Sequence, residues 1–152
     1  MGKYKVKLDF FKLLKREIRI MLKNFSIIYS FSTFFVIASL IFVFSVNDIS
    51  YVKIFYKSIV WIVLIFSIML VSENFLNEDF NDGSLKELQF LGFSEESIMV
   101  SKSIAMWVMI MIPMLFLLPL VFVFFQITLY ELISLLINLF LATPSLTLIS
   151  IL

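Results

Sequence analysis

The sequence predicts an all-α, polytopic membrane protein, and three observations carry that reading. Of 152 residues, 62% are hydrophobic, against about 45–50% in a soluble globular domain. Mean hydropathy is +1.08. The apolar residues fall in four long blocks nearly free of charge, the pattern of membrane-spanning helices.

What is missing narrows the chemistry. There is no histidine and no cysteine, which removes the commonest metal and haem ligand, the usual general base and any thiolate site. The glycines are Gly2, Gly83 and Gly92, and no GxxxxGK[ST] occurs, so the chain has no phosphate loop of its own. Any ATP is expected on another chain, and neither enzymatic activity nor a nucleic-acid partner is expected. Lysine outnumbers arginine ten to two, a skew that fits an AT-rich genome. Net charge is only +1, but residues 1–23 hold eight Lys/Arg against two acids, and residues 72–103 hold seven acids against two lysines.

Residues 1–24 read as a basic amphipathic helix. Phe11, Leu14, Ile18, Met21, Leu22 and Phe25 recur at helical spacing, with Lys12, Lys15, Arg16, Arg19 and Lys23 largely between them. Such a helix lies in the membrane interface with its cations at anionic headgroups. The plainer alternative is a basic flank that orients the first span.

The first span is expected over about 25–46, roughly 33 Å of helix against a ~30 Å hydrocarbon core. Ser26, Ser30, Ser32, Thr33 and Ser39 dot it, as helix contacts or as a polar pathway. Asn47 to about Lys57 reads as a short loop, and the second span overlaps its end, at about 54–71, with Trp61 as an interface anchor or packing residue rather than a ligand site. The third span, about 104–125, contains Pro113 and Pro119, which either shape packing or form a hinge. Gln126 to Glu131 reads as a turn. The fourth span, about 132–152, contains Asn138 and Thr143-Pro144. Asn138 reads as an interhelical hydrogen-bond donor, with a substrate contact as the alternative. Lysine and arginine counts place the N-terminus and the acidic loop in the cytoplasm.

That loop, residues 72–103, is the least generic stretch. Glu73, Glu78, Asp79, Asp82 and Glu87 fall within sixteen residues. Span two can run on through Phe75, Leu76 and Phe80 to a stop at Asp82-Gly83. Ser84 and Glu87 fit a capping box on a short helix, Leu85 to about Leu91, with Leu85, Leu88 and Leu91 on one side and Gly92 ending it. Ser94-Glu95-Glu96 starts a further helix that runs through Lys102 into span three. A short capped helix with one apolar side and an acidic rim can dock in a partner's groove. A solvated loop is the plain alternative, and paired-carboxylate catalysis lacks a partner base or nucleophile.

The run Glu73-x5-Asp79-x2-Asp82-Gly83-Ser84-Leu85-x2-Leu88 resembles the loop of the haem exporter protein B family. Pro113-Met-Leu-Phe-Leu-Leu-Pro119-Leu120 is similar to that family's proline pair, and Leu141-Ala-Thr143-Pro144-Ser145-Leu146 to its Gly-Thr-Pro-[Ser/Thr]-Leu run. Lys102 falls where the family carries a lysine entering the third span. The likeness covers nearly the whole chain in order and spacing, although related ABC-2-type permeases share the acidic-Gly-[Ser/Thr]-Leu theme. Lys86 stands where the family usually has glutamate, Phe93-Ser94 where it often has proline, and Ala142 where it has glycine. The family has about six spans, so this chain, with four, reads as C-terminally truncated.

The resemblance implies an ABC-2-type permease subunit for cytochrome c maturation in a bacterial inner membrane, or a mitochondrial inner membrane if organelle-encoded. It implies a separate ABC ATP-binding subunit, haem-handling membrane subunits and a haem chaperone as partners, with the lipid bilayer around the chain. No cofactor is expected on the chain itself, with ATP on a partner and haem handled by the complex. Glu73, Asp79, Asp82, Gly83, Ser84, Leu85 and Leu88 are the expected ATPase-coupling residues, and Pro113, Pro119 and Pro144 shape the spans. A permease of another ABC-2-type exporter and a non-transporting membrane scaffold remain as alternatives.

Overall fold

Every long apolar block forms a helix, because a backbone in hydrocarbon must satisfy its own hydrogen bonds. The computed structural model describes residues 2–46 and 49–151, the side chains of 2–9, 49, 50 and 78 excepted. Its elements are α1 (Gly2–Lys23), α2 (Phe25–Ser45), α3 (Ile49–Asn81), α4 (Ser84–Phe90), α5 (Glu95–Phe125) and α6 (Leu129–Ile151). Four of them, α2, α3, α5 and α6, are long and apolar enough to cross a membrane. The protein is thus all-α and polytopic. Asn47-Asp48 and Leu152, read as loop and span end, lie outside the described residues, as does the side chain of Glu78.

α5 is the hub and touches each of the other five helices. Ala105, Met106, Met109 and Ile110 on α5 meet Phe31 and Phe35 of α2 and Val60 and Leu64 of α3 in one core. Between helices in lipid, packing rather than water exclusion drives association, which favours small side chains at the contacts. Ala105, Ser67 and Ser101 are fully buried accordingly. Ser67 and Ser101 donate to the carbonyls of Val63 and Ile98, so neither hydroxyl is left unpaired.

Two boundaries differ from the sequence reading, the starts of α3 and α6. Residues 49–53, read as loop ahead of the second span, belong to the start of α3, because a polar residue such as Lys53 does not interrupt the backbone ladder. The α5–α6 turn is short because Gln126 takes a left-handed conformation (φ 49°) and α6 begins with a reciprocal cap. The Thr128 N–H donates to Glu131 Oε2 at 2.7 Å and the Glu131 N–H to Thr128 Oγ1 at 3.3 Å. Both prolines of the third span sit inside one continuous α5, Pro113 buried and Pro119 exposed.

α1 packs against α5, and this decides its buried face. Leu13, Glu17 and Met21, at i, i+4 spacing, point inward. Phe11, Leu22 and Phe25, expected on the apolar face, are exposed. The inward stripe includes a carboxylate, which an apolar periodicity cannot register.

Asn138 is exposed and, among the described residues, makes no interhelical bond. The polar contact between α5 and α6 is built elsewhere. Trp107 Nε1 donates to Thr143 Oγ1 at 2.9 Å, and Ser103 and Thr147 hydroxyls lie 3.3 Å apart. The Thr143 hydroxyl in turn donates to the Leu139 carbonyl at 2.7 Å. The Trp107 ring meets Phe140 edge-on at 5.1 Å.

Candidate functional site

Lys102 lies two turns into α5, only 1% exposed. An isolated buried ammonium is very costly, so its partners define the site. Lys102 Nζ donates to Glu17 Oε2 on α1 at 3.0 Å and to Asp79 Oδ2 on α3 at 2.5 Å. It also sits 4.7 Å from the centre of the Phe75 ring, on its face, a favourable cation–π placement.

The outer carboxylate oxygens are used as well. Arg16 Nη1 donates to Glu17 Oε1 at 2.7 Å, and Ser84 Oγ donates to Asp79 Oδ1 at 2.9 Å. A continuous polar chain therefore runs Arg16–Glu17–Lys102–Asp79–Ser84, joining α1, α5, α3 and the first residue of α4. Its two cations and two anions sum to zero. Lys102 is the member whose loss leaves charge stranded, since Glu17 and Asp79 share it and are 1% and 13% exposed, whereas Arg16 is 39% exposed.

The Ser84–Asp79 bond replaces the expected capping box. Ser84 is the first residue of α4, and Gly83 occupies the cap position with φ 69° and no side-chain bond. The Gly83 carbonyl accepts from the N–H groups of Lys86 and Glu87. The Ser84 hydroxyl donates to the Asp79 carboxylate, a charge-assisted bond, and Ser84 lies one residue inside the cap position. Glu87 is left exposed.

The other end of α4 closes as the sequence predicts. Gly92 adopts φ 89°, its N–H donates to Gln89 O at 2.9 Å, and the Phe93 N–H donates to Leu88 O at 3.2 Å. These are the two bonds of a Schellman motif, whose left-handed residue is usually glycine. Ser94 caps α5 by accepting from the Ser97 N–H at 3.3 Å.

A small apolar cluster of Leu13, Leu88 and Ile98, flanked by Leu85 and Phe93, lies beside the ionic chain. Leu13 is one turn from Glu17 on α1, and Ile98 one turn from Lys102 on α5. The same two helix faces thus hold α4 through an apolar rung and a charged rung. Leu85 and Leu88, expected to face a partner, turn inward. Outward lie Phe80, Phe90 (90% exposed) and Leu91, together with Asp82, Lys86 and Glu87.

Of the expected coupling residues, the structure therefore brings together Asp79, Gly83, Ser84, Leu85 and Leu88. Asp82 sits at the exposed turn. Glu73 stands apart, nearly two turns back along α3. Pro113, Pro119 and Pro144 are in α5 and α6, away from α4.

Glu17 does not stand out in the sequence, where it is one of two acids in a basic segment. Lys102 was placed only by resemblance. The signal that could have found both is physical. A lysine at the entry of an apolar run needs a carboxylate, and Leu13-x3-Glu17-x3-Met21 puts one on an inward stripe.

Over residues 8–152 the chain matches the family model described as CcmB protein. No curated protein matches the chain.

Proposed function

Because the chain belongs to the CcmB family, the haem-exporter ABC permease subunits of cytochrome c biogenesis, we propose that α4 is its coupling helix and that the Lys102 chain is the link from α4 to the spans. ATP hydrolysed on a separate subunit would move α4. That movement would reach α3 through Ser84–Asp79, and α1 and α5 through Lys102 and the Leu13–Leu88–Ile98 cluster. The result is haem export or release of the haem-loaded chaperone.

The single observation that carries this reading is Lys102 held between Glu17 and Asp79. It turns a short surface helix into part of the membrane body. Asp79, Gly83, Ser84, Leu85 and Leu88 then position α4, while Phe90 and Leu91, with Asp82 and Glu87 beside them, form the face offered to the ATP-binding subunit. Charge counts near the spans support a cytoplasmic N-terminus and a cytoplasmic α4 in an inner membrane. The outward Phe11, Ile20 and Leu22 of α1 suit the lipid interface there.

The test is Lys102→Met in the reconstituted complex, with three readings: recovery of the ATP-binding subunit, ATP turnover, and cytochrome c maturation. The expected result is retained recovery and turnover with maturation lost. Full maturation by the Lys102→Met complex would remove the link from the mechanism.

A further inference from the structure

A groove of about 670 Å3 opens on the side of the bundle between α2, α3 and α6. Its walls include Phe34, Phe66, Met69 and Ile149. Along α3 it runs from Ile65 to Leu76, a rise of about 16 Å, or about half of a ~30 Å hydrocarbon core. Its polar groups are Ser72, Glu73 and Ser150, clustered toward the α4 end of the bundle. The groove thus reaches from the polar Ser72–Glu73 level into one leaflet, apolar inside and polar toward its α4 end.

The polar mouth offers acceptors. The Ser72 hydroxyl proton is used on Met69 O at 2.8 Å, and the Ser150 hydroxyl proton on Thr147 O at 2.9 Å. Both oxygens keep lone pairs, and Glu73 is acceptor-only when ionised. Among the described residues Glu73 has no ion-pair partner, and no lysine or arginine lines the groove. The exposed Glu73 carboxylate above an apolar groove suits a ligand with N–H donors and positive charge at one end and hydrocarbon at the other.

We infer that this groove holds a phospholipid with a primary ammonium headgroup, drawn from the leaflet on the α4 side. The ammonium sits at Glu73 with Ser72 and Ser150 as further acceptors. One acyl chain lies along Phe66 and Met69, and the second stays in the bilayer. A partner's spanning helix fits less well, because the groove ends half-way across.

The experiment is native mass spectrometry of the detergent-purified protein with added phosphatidylethanolamine or phosphatidylcholine of equal chains. The two lipids share the phosphate and differ in whether the nitrogen carries protons. The expected result is about tenfold better retention of phosphatidylethanolamine, the scale of one charge-assisted hydrogen bond. Glu73→Gln brings the two lipids level, Glu73→Asp keeps the preference, and Ile149→Trp, which narrows the groove without touching the carboxylate, displaces both. Equal retention of the two lipids by the unaltered protein, or an unchanged preference in Glu73→Gln, overturns the inference. A photo-crosslinker at Met69 that captures a polypeptide in native membranes instead of lipid also overturns it, in favour of a partner helix.

Discussion

Glu17 and Lys102, 85 residues apart in the chain, meet in a buried ion pair with 3.0 Å between Oε2 and Nζ. The pair fastens the N-terminal helix to the hub helix, and Asp79 on the same ammonium adds the end of α3. Replacing Lys102 by Met should cost about 3–5 kcal/mol, the range for breaking a buried pair from one side. Adding Glu17→Leu and Asp79→Asn to Lys102→Met should recover much of that loss, since no stranded charge remains. Unfolding titrations in mixed micelles would measure both.

The Gly83 turn gives a separate test of how α4 is set. Gly83 holds φ 69° with open space where a side chain would go. Gly83→Ala should therefore cost only left-handed backbone strain, about 1–2 kcal/mol. Ser84→Ala leaves the turn but removes the tie to Asp79, and should increase proteolytic cutting between α3 and α4 at constant global stability.

Phe90 and Leu91 project away from the chain's own packing. The double change Phe90→Ser, Leu91→Ser should alter stability by no more than about 0.5 kcal/mol, as for other surface sites. It should nevertheless abolish co-purification of the ATP-binding subunit. Retention of that subunit at the unaltered yield would move the docking face elsewhere.

Trp107→Phe removes the donor to Thr143 while keeping a ring against Phe140. Interhelical hydrogen bonds in membranes average about 0.6 kcal/mol. The change should thus be several-fold milder than Lys102→Met in the same titration, and a comparable loss would show that the α5–α6 seam is a main fastening of the bundle.

Local signals were legible in the sequence wherever the neighbours along the chain decide the outcome. The four apolar blocks, the stop at Asp82-Gly83, the Gly92 terminus and the Ser94 cap are of this kind. Thr128 and Glu131 form an equally local reciprocal cap, signalled by their three-residue spacing, where a plain turn is expected. What could not be read locally is what the tertiary contacts decide. Lys102 holds one Asp79 oxygen, the other accepts from the Ser84 hydroxyl at 2.9 Å, and the cap position falls to Gly83. The inward face of α1 is set by α5, so Leu13 and Glu17 replace Phe11 and Leu22. Asn138 points outward because Thr143 and Thr147 already serve the α5 contact.

The zero sum of Arg16, Glu17, Lys102 and Asp79 has an electrical consequence. Each elementary charge carried across a 100 mV membrane potential involves about 2.3 kcal/mol. If the four groups shift together, no net charge crosses the field, and a stroke passed from α4 through this cluster runs equally well in an energised or a depolarised membrane. Only a stroke that parts Lys102 from its carboxylates would sense the voltage.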